Sequence, residues 1–293
     1  MNFKKSAYIL LCFLFCLSGF EGMSMQEQDS TKKWALKNSI IFSSEQTALS
    51  NWSAGGYSSL SFSAFYKGFY NYKRGKNQWD NSIELAYGLL RQDVTGKGLM
   101  DKGNIFQKSD DKIELNSIFG RQLYKYWNYS GLLNMKSQFD EGFKDSVLVS
   151  APFSPMTFTT SVGFEYKRKS FSLLLSFLTG KTVVVCDNRL KGSSLFGFSE
   201  PNQSVYFSVG PYIKFFYQKD IFKNVNLLAK LDFYFDYSKP SILDTDISAE
   251  IFLNLKVTKY LTAFISLQAI MDKDFNSTLQ YKERMGISIP LNF

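Results

Sequence analysis

The 293-residue chain contains no histidine. A Ser-His-Asp triad, a Cys-His pair and a histidine zinc site are therefore excluded. Cysteine is scarce. Of three, Cys12 and Cys16 fall in an N-terminal apolar run, so Cys186 is a lone thiol and there is no disulfide framework. Charge is low at 20% of residues, and the net +8 is spread along the chain. No basic block reads as a nucleic-acid footprint. No stretch after residue 25 approaches the roughly 20 apolar residues of a membrane helix. A phosphate loop, a CxxC pair and a dinucleotide fingerprint are all missing.

What the chain has is rings. Phe (29) and Tyr (17) bring the aromatic fraction to 17%, and with only six prolines this composition favours β-structure. Lys4 and Lys5 precede the apolar run Ala7–Leu17, and small residues follow at Ser18, Gly19, Gly22 and Ser24. That order is a secretory signal peptide, expected over residues 1–24 and cleaved between 18 and 25. Phe15 before Cys16 and Leu11 before Cys12 replace the small residue of a lipobox. A short periplasmic segment, residues 25–33, is expected to lead into one domain over 34–293.

That domain alternates with a period of two. From Leu279 to Phe293 the odd positions are apolar except Glu283, and the even ones run Gln280, Lys282, Arg284, Gly286, Ser288, Pro290 and Asn292. Strands of soluble sheets are typically about 5–6 residues, so this one is long. Val225–Ser238, Ile247–Thr258, Val205–Gln218 and Phe158–Tyr166 repeat the pattern. About twelve strands are expected, near 34–44, 57–71, 79–91, 111–125, 128–140, 157–168, 171–184, 203–218, 224–238, 245–258, 260–271 and 279–293. Short joints alternate with longer polar ones. A lipid-spanning sheet must close on itself because lipid offers the backbone no hydrogen-bond partner. The expected fold is therefore an all-β, antiparallel up-and-down transmembrane barrel of the Gram-negative outer membrane. Outer-membrane lipid would be its surroundings, and Phe293 would end the strand that the barrel-assembly machinery reads.

Alternation also assigns a lumen face. Its expected charged residues are Lys37, Lys67, Glu84, Lys112, Glu114, Lys136, Glu165, Lys214, Lys230, Asp232, Asp236, Glu250, Lys256, Lys282 and Arg284. Lys230, Asp232, Asp236, Glu250, Lys256, Lys282 and Arg284 crowd the last four strands and are the candidate lumen-lining site. Interspersed signs allow two readings. One is a narrow passive channel or binding barrel for a small polar solute. The other is an accessory barrel, closed by ion pairs, whose outer loops (such as Phe143–Thr157 and Leu190–Gln203) recruit an envelope partner. A lipid-active enzyme is a remote third, because outer-membrane lipases and lipid A deacylases of similar shape use a histidine base. Asp232 and Asp236, about 13 Å apart by strand rise, are too far for a glycosidase pair. Asp110–Asp111 and Asp244/Asp246 read as solvated loop acids. No catalytic residue, metal or cofactor is expected, and no nucleic-acid partner.

One stretch carries a resemblance. The loop Asn51-Trp-Ser-Ala-Gly-Gly56 is followed by Trp79-Asp80-Asn81 and Tyr87-Gly88. Gly55 and Gly56 suit a sharp return, and Trp52 and Trp79 suit anchors at a lipid interface. The NWSAGG–WDN–YG order, over roughly residues 34–140, resembles an uncharacterised family of Bacteroidota outer-membrane proteins defined as a domain of unknown function. The resemblance implies a location and a lineage, with no site residues to transfer.

Overall fold

The computed structural model describes residues 33–49, 57–144, 147–239, 241, 244–258, 260–272 and 276–292. The expected signal peptide, the segment 25–32, Asn51–Gly56 and Phe293 lie outside the described residues. Fourteen strands are formed: β1 (Trp34–Thr47), β2 (Ser59–Arg74), β3 (Asn77–Gln92), β4 (Phe106–Tyr124), β5 (Trp127–Ser137), β6 (Gly142–Lys144), β7 (Val147–Ser150), β8 (Met156–Arg168), β9 (Phe171–Val184), β10 (Val205–Phe222), β11 (Val225–Tyr234), β12 (Asp246–Lys256), β13 (Thr262–Asp272) and β14 (Asn276–Asn292). Twelve of them close into one antiparallel barrel in the order β1-β14-β13-β12-β11-β10-β9-β8-β5-β4-β3-β2. β6 and β7 form a separate hairpin within the connection from β5 to β8.

At one end the strands are joined by tight turns. Gly75, Lys125 and Asn224 there adopt φ of 57°, 44° and 68°, the positive values that the primed two-residue hairpin turns require. The longer connections gather at the other end. β4 starts at Phe106, five residues earlier than the alternation suggests. A register shift opposite Gly88/Leu89 breaks the pattern among Lys108, Asp110 and Asp111, so that charged stretch resembles a loop in sequence.

The faces follow the pleat. Outward residues such as Phe42, Leu115, Leu133, Phe164, Ile213, Ile251, Leu267, Met285 and Ile287 are exposed on the barrel exterior. Left in water, that much apolar surface would be unfavourable; against acyl chains it is at home. Near the turns the outer surface carries a ring of aromatics in mutual contact. Trp34 meets Tyr72 and Trp79 at 5.0 and 6.0 Å between centroids. Tyr166 meets Trp127 and Phe171, and Phe171 meets Phe215. Rings with one polar edge suit a membrane–water boundary.

β9 bulges at Phe177–Leu178, with register shifts against both β8 and β10. Among the described residues, the barrel closes where β1 meets β14 over six pairs, Ser39↔Asn292 to Ser44↔Ile287. No other ladder of the barrel has fewer than ten.

Candidate functional site

Inward-facing charges meet at mid-height of the lumen. Glu84 lies on β3 and Lys230 on β11, six places apart in the twelve-strand ring and thus on opposite walls. Their side chains nonetheless touch, Lys230 Nζ standing 2.5 Å from Glu84 Oε1. Lys112 of β4 reaches Glu84 at 2.8 Å, Glu114 at 2.7 Å and, from the opposite wall, Glu250 of β12 at 3.8 Å. Lys136 joins Glu114 (3.9 Å) to Asp232 (3.5 Å). Asp232 also accepts from Lys214 (3.1 Å) and from the Tyr212 hydroxyl (2.9 Å). Lys67 adds a further cation, its Nζ 5.0 Å from the Phe252 ring centroid. Charges taken from water are tolerated when each has close partners of opposite sign. Here those partners come from facing walls, and the lattice they form spans the lumen.

Below this floor, toward the turns, the interior is filled. Glu165, 1% exposed, accepts hydrogen bonds from Ser172 (2.7 Å), Ser130 (3.3 Å) and Gln78 (3.3 Å). Lys167 pairs with Asp80 across three strand positions. Ile118, Leu132 and Leu174 pack there in an apolar cluster that Tyr212 and Tyr234 complete from the loop side of Lys214 and Asp232, and Leu228 and Phe264 are buried beside the same filled interior.

Above the floor the lumen opens into a cup of about 450 Å³. Lys108, Asp110, Lys136, Ser248, Gln268 and Lys282 line it from the loop-side ends of their strands, with Gln138 and Ser150 contributed by the connection around β6 and β7. Its base is Lys112, Glu114, Lys230, Asp232 and Glu250. Acids and bases are balanced on its surface. A smaller void of about 40 Å³ lies between Lys67, Glu84, Arg284, Phe65 and Phe252, enough for a few waters.

Of the candidate lumen residues, Lys230, Asp232 and Glu250 belong to the lattice. Lys282 and Arg284 both bind Asp110 of β4. Asp236 lies past the end of β11, buried and held by the Tyr206 hydroxyl (2.8 Å) and by Ser238. Lys256 shares the inward parity but ends β12 at the turn side, exposed and away from the cup. Glu84, Lys112, Glu114 and Lys136 supply the opposite half of the lattice, which a search of the last four strands passes over. Lys108 and Asp110 were hidden by the irregular register of β4.

The loop end is ordered over one side of the barrel. Ala151, Val183, Val185, Leu190, Phe196 and Phe198 form a second apolar cluster between the 138–155 and 185–204 connections. Phe196 and Phe198 are thus turned into the cap and are not displayed to a partner. Ser154 Oγ accepts from the amides of Cys186 (3.0 Å) and Asp187 (2.9 Å). Arg189 ties Glu141 at 2.5 Å to Asp187, whose carboxyl it holds at a pKa of about 2.

The motif residues have physical roles. Trp79 Nε1 donates to Ser117 Oγ (2.8 Å), Ser117 donates to Asn81 Oδ1 (2.8 Å), and Asn81 Nδ2 donates to the Tyr70 carbonyl (3.1 Å). Polar groups on the outer surface are thereby satisfied within the protein, as lipid demands. The Tyr87 hydroxyl donates to Asp140 (2.8 Å) and contributes to holding its carboxyl below the usual range. At Gly88 a Cβ would meet Ser109 Oγ at 2.7 Å and the Ser63 and Asp110 Cβ atoms at 3.1 Å. The glycine lets the β4 bulge close against it.

Among solved structures the chain is similar to an outer-membrane channel from Pseudomonas putida F1 (11% identity, TM-score 0.42, covering 91% of this chain and 100% of that one). It is also similar to outer-membrane phospholipase A from Escherichia coli (13%, 0.41, 90% and 94%) and to OprB from Pseudomonas putida (10%, 0.34, 89% and 94%). No curated protein matches it. Residues 44–143 match a family model described as "Protein of unknown function (DUF3078)".

Proposed function

We propose that this protein is an outer-membrane binding barrel, sealed against through-flow, whose outer half receives a small polar solute carrying charges of both signs. The observation that carries the reading is the pairing of a 450 Å³ cup with a floor made of ion pairs that join opposite walls. Balanced acids and bases on a concave surface suit a zwitterion, which finds a partner for each end without displacing the lattice. Resident lipid and, during biogenesis, the assembly machinery complete its partners. Catalysis is no part of this reading, since the acids of the cup are engaged by lysines or arginine.

A second reading is supported by the ordered cap. A rigid platform of loops with Phe143, Val147 and Phe153 exposed suits recruitment of an envelope protein.

Thiol accessibility separates a cup from a conduit. In a Cys186→Ser background, Ser248→Cys in the cup reacts quickly with a charged, membrane-impermeant thiosulfonate added outside, and millimolar free lysine or glutamate slows it. Ser130→Cys, below the floor, reacts at least about a hundredfold more slowly, because a buried thiol is shielded from the reagent. Equal rates at both positions contradict the sealed floor. Failure of these zwitterions to protect Ser248→Cys removes the solute reading and leaves the recruiting barrel.

A further inference from the structure

The turn-side end of the barrel is strongly basic. Lys33, the stretches 73–76, 121–126, 167–170 and 219–224, and residues 256–258 lie at that end. Among these described residues eleven lysines and arginines are exposed, against one exposed acid, Asp220. Asp80 nearby is taken by Lys167. In sequence, residues 25–32 and Lys259 add two acids and two bases, which leaves the balance as it is. The loop-side strand ends differ, carrying Glu45, Asp246 and Asp272 beside Arg91. Every strand junction at the turn side contributes a cation, so the charge forms a ring and not a one-sided patch.

Four of these cations obey one spacing. Tyr72-Lys-Arg74, Phe119-Gly-Arg121, Tyr166-Lys-Arg168 and Tyr217-Gln-Lys219 each place a base two positions after an aromatic, and that spacing keeps both on the outer face of a strand. The register agrees, since Arg121 lies opposite outward Tyr129, Arg168 opposite Phe171 and Lys219 opposite Leu227. Each cation thus stands about 7 Å beyond its ring along the strand, where headgroups follow hydrocarbon. Arg168 is held against the outer wall, its guanidinium 4.9 Å from the Tyr126 ring centroid. Among the described residues none of the four pairs with a carboxylate, and Asp220 instead accepts from Asn226 at 2.8 Å. A ring of like charge repels itself and draws counter-charge from its surroundings. A protein partner would cover one side of the rim, whereas lipid headgroups meet the whole circumference.

We infer that the turn-side rim binds anionic phospholipid, Arg74, Arg121, Arg168 and Lys219 taking the headgroup phosphates while the rings before them sit at the glycerol level. The barrel thereby gathers acidic lipid around one end. This surface is separate from the cup, and its occupant is independent of any solute.

The test uses the refolded barrel in vesicles containing spin-labelled phosphatidylglycerol or spin-labelled phosphatidylcholine, with the fraction of motionally restricted lipid read by electron paramagnetic resonance. The expected result is a preference for phosphatidylglycerol of about fivefold, the factor for one cation near the surface meeting each anionic headgroup. The preference falls towards one in high salt and in the variant Arg74→Gln, Arg121→Gln, Arg168→Gln, Lys219→Gln. Lys97→Gln with Lys102→Gln, exposed at the loop end, leaves it unchanged. A wild-type barrel that restricts both lipids equally overturns the inference, whether or not the fourfold variant folds. So does a preference that survives in the folded fourfold variant or is lost in the loop-end control. Binding of soluble polyglutamate by wild-type barrels in phosphatidylcholine, with no preference for phosphatidylglycerol, assigns the rim to an acidic protein and also overturns it.

Discussion

Glu84→Ala lowers the stability of the barrel by about 3–5 kcal/mol, the loss expected when one partner of a buried ion pair is removed and the other is stranded. Glu84 is 6% exposed and stands between Lys112 of the neighbouring strand and Lys230 of the opposite wall. After its removal, among the described residues, Lys230 keeps Glu250, at 3.7 Å, and Lys112 keeps Glu114 and the more distant Glu250. Positive charge then accumulates at the centre with Lys67 nearby. Urea unfolding of the refolded protein, followed by heat-modifiable gel mobility, reads the effect. Glu84→Met combined with Lys230→Met recovers most of the loss, since neither charge is left unpaired. A Glu84→Ala barrel as stable as the parent means that the lattice contributes nothing to holding the walls together.

Gly210→Ala prevents the barrel from closing correctly. A Cβ at this position lies 1.7 Å from the carbonyl oxygen of Phe235, a backbone atom that cannot swing aside. The cause is the β9 bulge at Phe177–Leu178. Pro211 of β10 faces it, and the chain after β11 is drawn in until the Phe235 amide donates to the Pro211 carbonyl at 3.2 Å. Gly163, on the other side of the bulge, has its Cβ position 2.1 Å from the Leu175 carbonyl. Overpacking usually destabilises by about 1–3 kcal/mol and by more where backbone must move, so the heat-modifiable form is expected to be lost. Gly131→Ala is the matched control, because the nearest atom to its Cβ is 3.9 Å away. Normal folding of Gly210→Ala shows that the bulge is dispensable.

The barrel was legible in the sequence because a strand buried in lipid on one side and polar on the other must alternate, and a one-residue slip would invert every face. Strand number, the alternation of short and long connections and the inward parity of Glu84, Lys112, Lys230 and Arg284 all follow from that rule. Height and partnership do not. Lys230 and Lys256 share a face, yet one sits in the lattice and the other at the turn-side rim, and only register fixes the difference. The contact of Glu84 with Lys230 depends on the whole ring closing, since β3 and β11 never pair. Leu132, Leu174 and Leu228 at inward positions look like lapses in the pattern, whereas they fill the turn-side lumen. The Leu190–Gln203 loop reads in sequence as an exposed, aromatic-rich stretch, whereas the burial of its Phe196 and Phe198 depends on the distant Ala151 and Val185. The short β1–β14 ladder was illegible for the same reason, being a property of which strands meet last.

Single-channel conductance in a planar bilayer tests the central claim most directly. With the floor closed by Glu84–Lys230 and Lys112–Glu250, the folded wild-type barrel is silent at both low and high salt. Discrete steps appear when Glu84, Lys112, Lys230 and Glu250 are together replaced by alanine. Steady, salt-dependent steps from the wild-type barrel would contradict the account and restore the open channel.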